Sequence, residues 1–168
     1  LVLKSDFYEA FDIFICLDGL KVNSSKKEFI KRSDFKKWIN KKNILLLERD
    51  HNLGSKKGIP DFIRTVSKNY DHFVVFEDDL IINNDTLKFF YKYLRKINSV
   101  AFKENTVGFI SAYSCLRWSN KSSYHFSWQG PSWGWGSSRE VFNEFMDWKE
   151  NFLSKKINKY QKKQILEF

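Results

Sequence analysis

The chain has 168 residues, of which 42% are hydrophobic and 29% are charged, and its formal net charge is +9. This length and composition predict one folded domain with its own core and exclude an intrinsically disordered chain. The positive charge permits an anionic partner, such as a nucleotide, a nucleic acid or a membrane surface, without choosing among them. The apolar runs are too short to span a membrane.

Apolar strands alternate with amphipathic helices along the chain. The pattern predicts strands over residues 11–17, 43–48, 73–76 and 106–113, and helices over residues 24–41, 58–68 and 85–97. This alternation is typical of an α/β fold with a parallel sheet and right-handed crossovers. Ligands of such a sheet bind at the carboxyl ends of its strands.

Polar residues follow the first two predicted strands. The first strand ends in Asp18-Gly19, which is first of all a turn signal. The functional alternative is an acid at the sheet edge that accepts a hydrogen bond from a nucleobase or ribose. The loop over residues 49–58 contains Asn52, two glycines and Lys57, and its amides and lysines could contact a phosphate. It lacks the spacing of a P-loop.

Three consecutive carboxylates, Glu77, Asp78 and Asp79, follow the third predicted strand. Adjacent carboxylates repel one another unless a cation or solvent neutralises them. A hard divalent ion, Mg²⁺ or Mn²⁺, would do so and would also bind a diphosphate. The alternative is a solvated acidic turn ahead of a helix, whose dipole favours acids.

The composition changes after Tyr113, because five of the six tryptophans lie from Trp118 to Trp148. Residues 126–138 are too glycine-rich for a helix and too aromatic for a disordered linker. Aromatic planes beside small residues offer a platform to the apolar face of a sugar. Alternatively, the rings close one end of the core. Ser137 or Ser138 is expected to cap a following helix.

The division expected from composition is a core over residues 1–148 and a basic, helical tail over residues 149–168. The tail has six lysines and two glutamates, 6 − 2 = +4. It could contact an anionic membrane surface or remain solvated. The two cysteines, Cys16 and Cys115, lie in or beside predicted buried strands, which favours two buried thiols over a disulfide and hence a reducing compartment.

Taken together, these pieces resemble the GT-A class of nucleotide-sugar glycosyltransferases. The matching segments are residues 14–19, 51–54, 74–80, 108–113 and 130–135. The acidic triplet followed by a tryptophan-glycine segment is similar to bacterial sugar transferases of the surface-polysaccharide type, and more distantly to N-acetylglucosaminyltransferase I. The resemblance implies a Rossmann-like, mostly parallel sheet flanked by helices and incomplete at both ends here, with a further strand ahead of residue 1.

The resemblance also implies an activity. A sugar would move from a nucleoside-diphosphate sugar, most simply a UDP-sugar, to a glycan or lipid-linked hydroxyl acceptor, with Mn²⁺ or Mg²⁺ as cofactor and with inversion. Asp18 would bind the nucleobase, and Gly19, Asn52 and Lys57 would belong to the same nucleotide site.

The remaining roles follow from the same resemblance. Glu77 would contact the ribose, Asp78 the donor sugar or a water on the metal, and Asp79 the metal itself. The sugar and acceptor wall would consist of Trp133, Gly134 and Trp135. Asp147 is the candidate for the carboxylate that deprotonates the acceptor, ahead of Glu144; otherwise this base is expected beyond residue 168. A core acid paired with lysine is the alternative for both.

Two other functions stay open at this point. A nucleotidyltransferase also combines acids with a metal, and a non-catalytic anion- or nucleotide-binding module would use the lysines and leave the acids solvated. Nucleic acid is not expected as a partner, because three carboxylates at a strand edge repel its backbone. The expected location is cytoplasmic, with peripheral contact at the inner face of the membrane as an open alternative.

Overall fold

A computed structural model describes residues 2–21, 26–40, 44–97, 107–113 and 133–154. The described part is an α/β structure, as the alternating pattern predicted. Its helices are α1 (Lys26–Asn40), α2 (Gly54–Ser67), α3 (Thr86–Leu94) and α4 (Arg139–Ser154). Its strands are β1 (Phe14–Leu17), β2 (Leu45–Glu48), β3 (His72–Val75), β4 (Ile110–Ser111) and β5 (Trp135–Ser138), and two short 3₁₀ turns, Val2–Lys4 and Tyr8–Ala10, precede β1.

The strands form two separate sheets within this described part. β1 and β2 are parallel, with Phe14 opposite Leu45 and Leu17 opposite Glu48. This direction requires a crossover, which α1 supplies. In the second sheet β5 lies between β3 and β4 and is antiparallel to both. A parallel arrangement is therefore present in the β1–β2 pair, and no hydrogen-bonded ladder joins β1 to β3 among the described residues.

β5 (Trp135–Ser138) is a strand in a segment for which the sequence excluded a helix and a disordered linker but predicted no strand. Gly136 lies in the middle of this strand. A Cβ atom there would lie 2.8 Å from the carbonyl oxygen of Phe73 and 3.0 Å from Cδ2 of Leu94. Glycine in a strand often marks such a close approach. Here it lets α3 pack directly on the strand backbone.

The core lies on both faces of the three-stranded sheet. Neighbouring residues of a strand point to opposite faces. Phe73 accordingly packs with Ile63 of α2 and Phe142 of α4, while Val74 packs against Phe90 of α3. β3 therefore has helices packed on both of its faces. Cys16 of β1 is exposed, so the prediction of a buried thiol there was wrong.

The helix boundaries differ from the predictions at identifiable places. α2 begins at Gly54 rather than at residue 58. α4 begins where a serine cap was expected, since the amide of Val141 donates to the Ser138 hydroxyl at 3.2 Å. α4 runs past the expected boundary at residue 148, and residues 155–168 of the predicted tail lie outside the described residues. In the part of the chain described here, no helix is both long and apolar enough to cross a membrane.

Candidate functional site

The three carboxylates lie in an exposed turn directly after β3. Glu77, Asp78 and Asp79 are all exposed, and the amide of Leu80 donates to the carbonyl oxygen of Glu77 at 3.3 Å. We call these three residues the acidic turn. The turn precedes α3, whose N-cap Asp85 makes no side-chain capping bond.

The tryptophan-glycine segment (Trp133, Gly134 and Trp135) packs against the strand that carries the acidic turn. Because β5 is antiparallel to β3, its first residue lies opposite the last residue of β3, and Trp135 pairs with Val75. Gly134 has a φ of +64°, and a Cβ atom there would lie 3.3 Å from the Phe76 ring. A side chain at Gly134 would therefore be strained and crowded. The structure thus brings the two predicted features to one edge of the sheet.

The two tryptophans of this segment have different surroundings. Trp135 is half-buried and its ring meets that of Phe73 edge-on, with centroids 5.6 Å apart. Trp133 is 48% exposed and lies beside Tyr113. Trp135 therefore closes one end of the core, and Trp133 is the ring that could contact a ligand.

Asp18 lies at the carboxyl end of β1, and its side chain caps a helix. The carboxylate accepts hydrogen bonds from the amides of Gly19 (3.1 Å), Leu53 (3.0 Å) and Gly54 (2.7 Å). Gly54 is the first residue of α2. The first amide of this helix is therefore capped by a carboxylate at the end of β1 and not by a residue directly before the helix. Burial raises the pKa of the Asp18 carboxyl, but these amides and Arg49 outweigh that effect, and the pKa lies below its ordinary value. A nucleobase would have to share this carboxylate with three amides.

The other residues predicted for the nucleotide site lie around the same strand end. The Asn52 side-chain amide donates to the carbonyl oxygen of Gly19 at 2.6 Å. A Cβ atom on Gly19 would lie 2.2 Å from the carbonyl carbon of His51, so no side chain fits there. Lys57 is exposed in the first turn of α2. Asp18, Gly19 and Asn52 are thus assembled in one place, and their role in binding stays a prediction.

Two arginines that the sequence analysis did not single out organise this strand end. Arg49 is only 14% exposed and its guanidinium lies 3.5 Å from the centre of the Phe62 ring. It also pairs with Asp61 and donates to the carbonyl oxygen of Gly58 at 3.1 Å. Arg32 of α1 donates to the carbonyl oxygen of Asp18 at 2.8 Å and pairs with Glu48 at 2.9 Å. The only available signal was the position of Arg49 directly after an apolar strand.

An open cavity of about 320 Å³ lies at the carboxyl end of β2. Its lining consists of Glu48, Arg49, Asp50, His51 and Leu53. The cavity therefore adjoins the predicted nucleotide site.

The predicted base, Asp147, lies on α4. Phe142 and Met146 of this helix are buried in the core, whereas Asp147 and Glu144 are exposed. Asp147 is five residues from Phe142, about 140° around the helix axis. The alternative of a core acid is therefore wrong for both carboxylates, and a role of Asp147 as base stays a prediction.

The described residues include no group of three or more His, Cys, Asp or Glu placed to hold a metal ion on their own. Mg²⁺ seldom has such a cage, since one or two carboxylates commonly bind it together with substrate phosphates and water. The exposed oxygens of Asp78 and Asp79 fit a site of that kind, which a diphosphate would complete.

Comparisons of the chain with known protein families, with curated proteins and with solved structures found no match.

Proposed function

We propose that this protein is a metal-dependent glycosyltransferase that moves a sugar from a nucleoside-diphosphate sugar to a hydroxyl group of a glycan or lipid-linked acceptor, with inversion. The observation that carries the proposal is the meeting of the acidic turn with the tryptophan-glycine segment at the carboxyl end of β3. Carboxylates for a metal–diphosphate and a tryptophan for a sugar are the two kinds of group that this reaction needs side by side.

The acidic turn would hold the diphosphate end of the donor. Asp79 would ligate Mn²⁺ or Mg²⁺, and a divalent ion offsets the charge of a departing nucleoside diphosphate. Asp78 would accept a hydrogen bond from a donor-sugar hydroxyl or from a water on the ion, and Glu77 would accept one from the ribose. The net charge of +9 favours the approach of an anionic donor.

The nucleotide would extend toward the ends of β1 and β2. Asp18, Gly19 and Asn52 would lie beside its base, and Lys57 would add positive charge at the start of α2. In support, the Phe14 ring at the start of β1 contacts the Tyr70 ring just before β3, with centroids 5.6 Å apart.

Two residues are proposed for the acceptor side of the site. Trp133 would form part of its wall, and Asp147 is the proposed base. A lipid-linked acceptor would require the protein to meet the inner face of the membrane from the cytoplasm, and the lysines of residues 149–168 would favour that contact.

The test is a calorimetric titration of UDP into the protein with Mn²⁺ and then with EDTA. Asp79→Asn is the test variant, and Asp85→Asn is its matched control because Asp85 is exposed and makes no capping bond. We expect metal-dependent binding in the parent and the control, weakened about tenfold or more in Asp79→Asn, a loss of about 1.4 kcal/mol. The proposal is contradicted if UDP binds neither to this chain nor to a chain extended upstream of residue 1.

The titration, together with an assay for pyrophosphate, separates the alternatives. UDP binding that needs no metal and ignores Asp79→Asn would indicate an anion- or nucleotide-binding module. Release of pyrophosphate from a nucleoside triphosphate would indicate a nucleotidyltransferase.

A further inference from the structure

Two large aromatic rings are exposed at the edge of the sheet that also carries the acidic turn. Tyr113 is 42% exposed and Trp133 is 48% exposed. Their ring centroids are 5.0 Å apart and their planes meet at 84°. We call this pair the aromatic corner. An edge-to-face contact fixes the two rings against each other, while the remaining faces stay open to a ligand.

The backbone beneath the aromatic corner is held by a set of hydrogen bonds. The amide of Ala112 donates to the carbonyl oxygen of Gly134 at 3.1 Å. The hydroxyl of Ser111 lies 3.3 Å from that carbonyl oxygen and accepts from the amide of Tyr113 at 3.2 Å. Ser111 itself pairs with Trp135 across the sheet. The two rings are therefore anchored to the ends of adjacent strands.

The position of the corner relative to the carboxylates follows from the strand register. Val75 pairs with Trp135, and the Phe76 ring touches Gly134. The ladder ends at this pair, so the acidic turn after β3 and Trp133 before β5 both lie beyond it at the same edge of the sheet. A ligand on the indole would therefore lie at the sheet edge that also carries the carboxylates.

We propose that the aromatic corner binds a pyranose ring, with its C–H face on the indole of Trp133 and its edge against the ring of Tyr113. A pyranose combines an apolar face with outward hydroxyl donors, which carboxylates accept. A phosphate would be repelled by the same carboxylates unless a metal bound them. This inference deepens the proposed function, on which it rests for its place in the reaction, by naming Tyr113 as a sugar-contacting residue and a neutral pyranoside as the ligand.

The experiment measures saturation transfer by NMR from the protein to cellobiose, lactose and N,N′-diacetylchitobiose, each with and without UDP and the diamagnetic ion Mg²⁺. We expect transfer to ring C–H protons of at least one disaccharide. Trp133→Ala should weaken that binding about tenfold. Tyr113→Ala should weaken it less, and Tyr113→Phe should leave it unchanged because the ring remains.

Trp148→Ala is the matched control, since Trp148 is an equally exposed tryptophan on α4. Should Trp133→Ala fail to fold, as judged by circular dichroism, Trp133→Leu removes the ring and keeps an apolar side chain. The inference is overturned if no disaccharide binds in any condition and neither UDP-sugar binds more tightly than UDP, or if sugar binding is unchanged when the Trp133 ring is removed.

Two further comparisons distinguish an acceptor sugar from the donor sugar as the ligand of the aromatic corner. Disaccharide binding without UDP assigns the corner to the acceptor. A gain in affinity of UDP-galactose or UDP-N-acetylglucosamine over UDP, lost in Trp133→Ala, assigns it to the donor sugar. If the protein binds a disaccharide but does not bind UDP with Mn²⁺, the proposed function is refuted, whereas sugar binding at the aromatic corner is still supported.

Discussion

Replacing Asp18 by asparagine should destabilise the protein even without a ligand. The carboxylate accepts bonds from the amides of Gly19, Leu53 and Gly54 and lies 3.5 Å from the guanidinium of Arg49. The asparagine side chain keeps one acceptor oxygen and brings a donor that faces amides already donating. Loss of a helix cap costs about 0.5–2 kcal/mol, and hydrogen bonds to a charged group lie at the upper end of such values. We therefore expect the free energy of unfolding to fall by about 1–2 kcal/mol.

The effect should depend on pH in a defined direction. The folded-state pKa of Asp18 lies below its ordinary value, because the amides and Arg49 outweigh burial, which alone would raise it. A lowered carboxyl pKa contributes stability above the unfolded-state pKa of about 3.9, and this contribution is lost as the pH falls through the folded-state value. The difference between parent and Asp18→Asn should thus be constant from neutral pH to about pH 5 and shrink below pH 4.

The assay is urea unfolding followed by tryptophan fluorescence and circular dichroism. With a slope of about 2 kcal/mol per molar, the midpoint should fall by about 0.5–1 M. Asp34→Asn is the control, since the Asp34 side chain is 70% exposed and its pair with Lys37 spans 3.8 Å. An Asp18→Asn midpoint equal to that of Asp34→Asn would refute the capping role.

Two further predictions concern packing and protonation. Gly136→Ala should lower the free energy of unfolding by about 1–3 kcal/mol in the same urea assay, because the added methyl group meets the Phe73 carbonyl oxygen at 2.8 Å. Gly108→Ala, where the nearest atom is 3.8 Å away, should cost far less, and equal losses would contradict the account. Burial, aided by Arg95 and opposed by Asp71, lowers the pKa of His72, so its NMR titration midpoint should lie below about 6.5. The protein should lose stability as the pH falls below that value, because the unfolded imidazole takes up the proton more readily; a midpoint above 6.5 would reverse that expectation.

The sequence predicted the local features of this fold well. The apolar runs predicted β1, β2 and β3 to within a few residues, and the resemblance to a known family placed Asp18, Gly19 and Asn52 in one site. Hydrophobic periodicity predicts the strands because it depends only on neighbouring residues. The location of ligand sites at the carboxyl ends of strands is a general property of α/β sheets, so it needs no knowledge of distant contacts.

Features that depend on distant residues could not be predicted in this way. The start of α2 was placed too late because its cap is Asp18, whose side chain bonds an amide 36 residues further along the chain. The strand state of β5 was missed because Gly136 suits a strand only where Phe73 and Leu94 approach it closely. The role of Arg49 depends in the same way on Phe62 and Asp61, which lie on the helix that follows.

The most direct test of the central claim is to locate the metal by paramagnetic broadening of amide signals in the labelled protein. Small additions of Mn²⁺ in the presence of UDP should broaden the amides of residues 76–80 and 133–135, and Asp79→Asn should remove the effect while Asp85→Asn keeps it. Broadening confined to residues 18–19 and 49–54, or broadening that survives Asp79→Asn, would contradict a metal–diphosphate site at the end of β3.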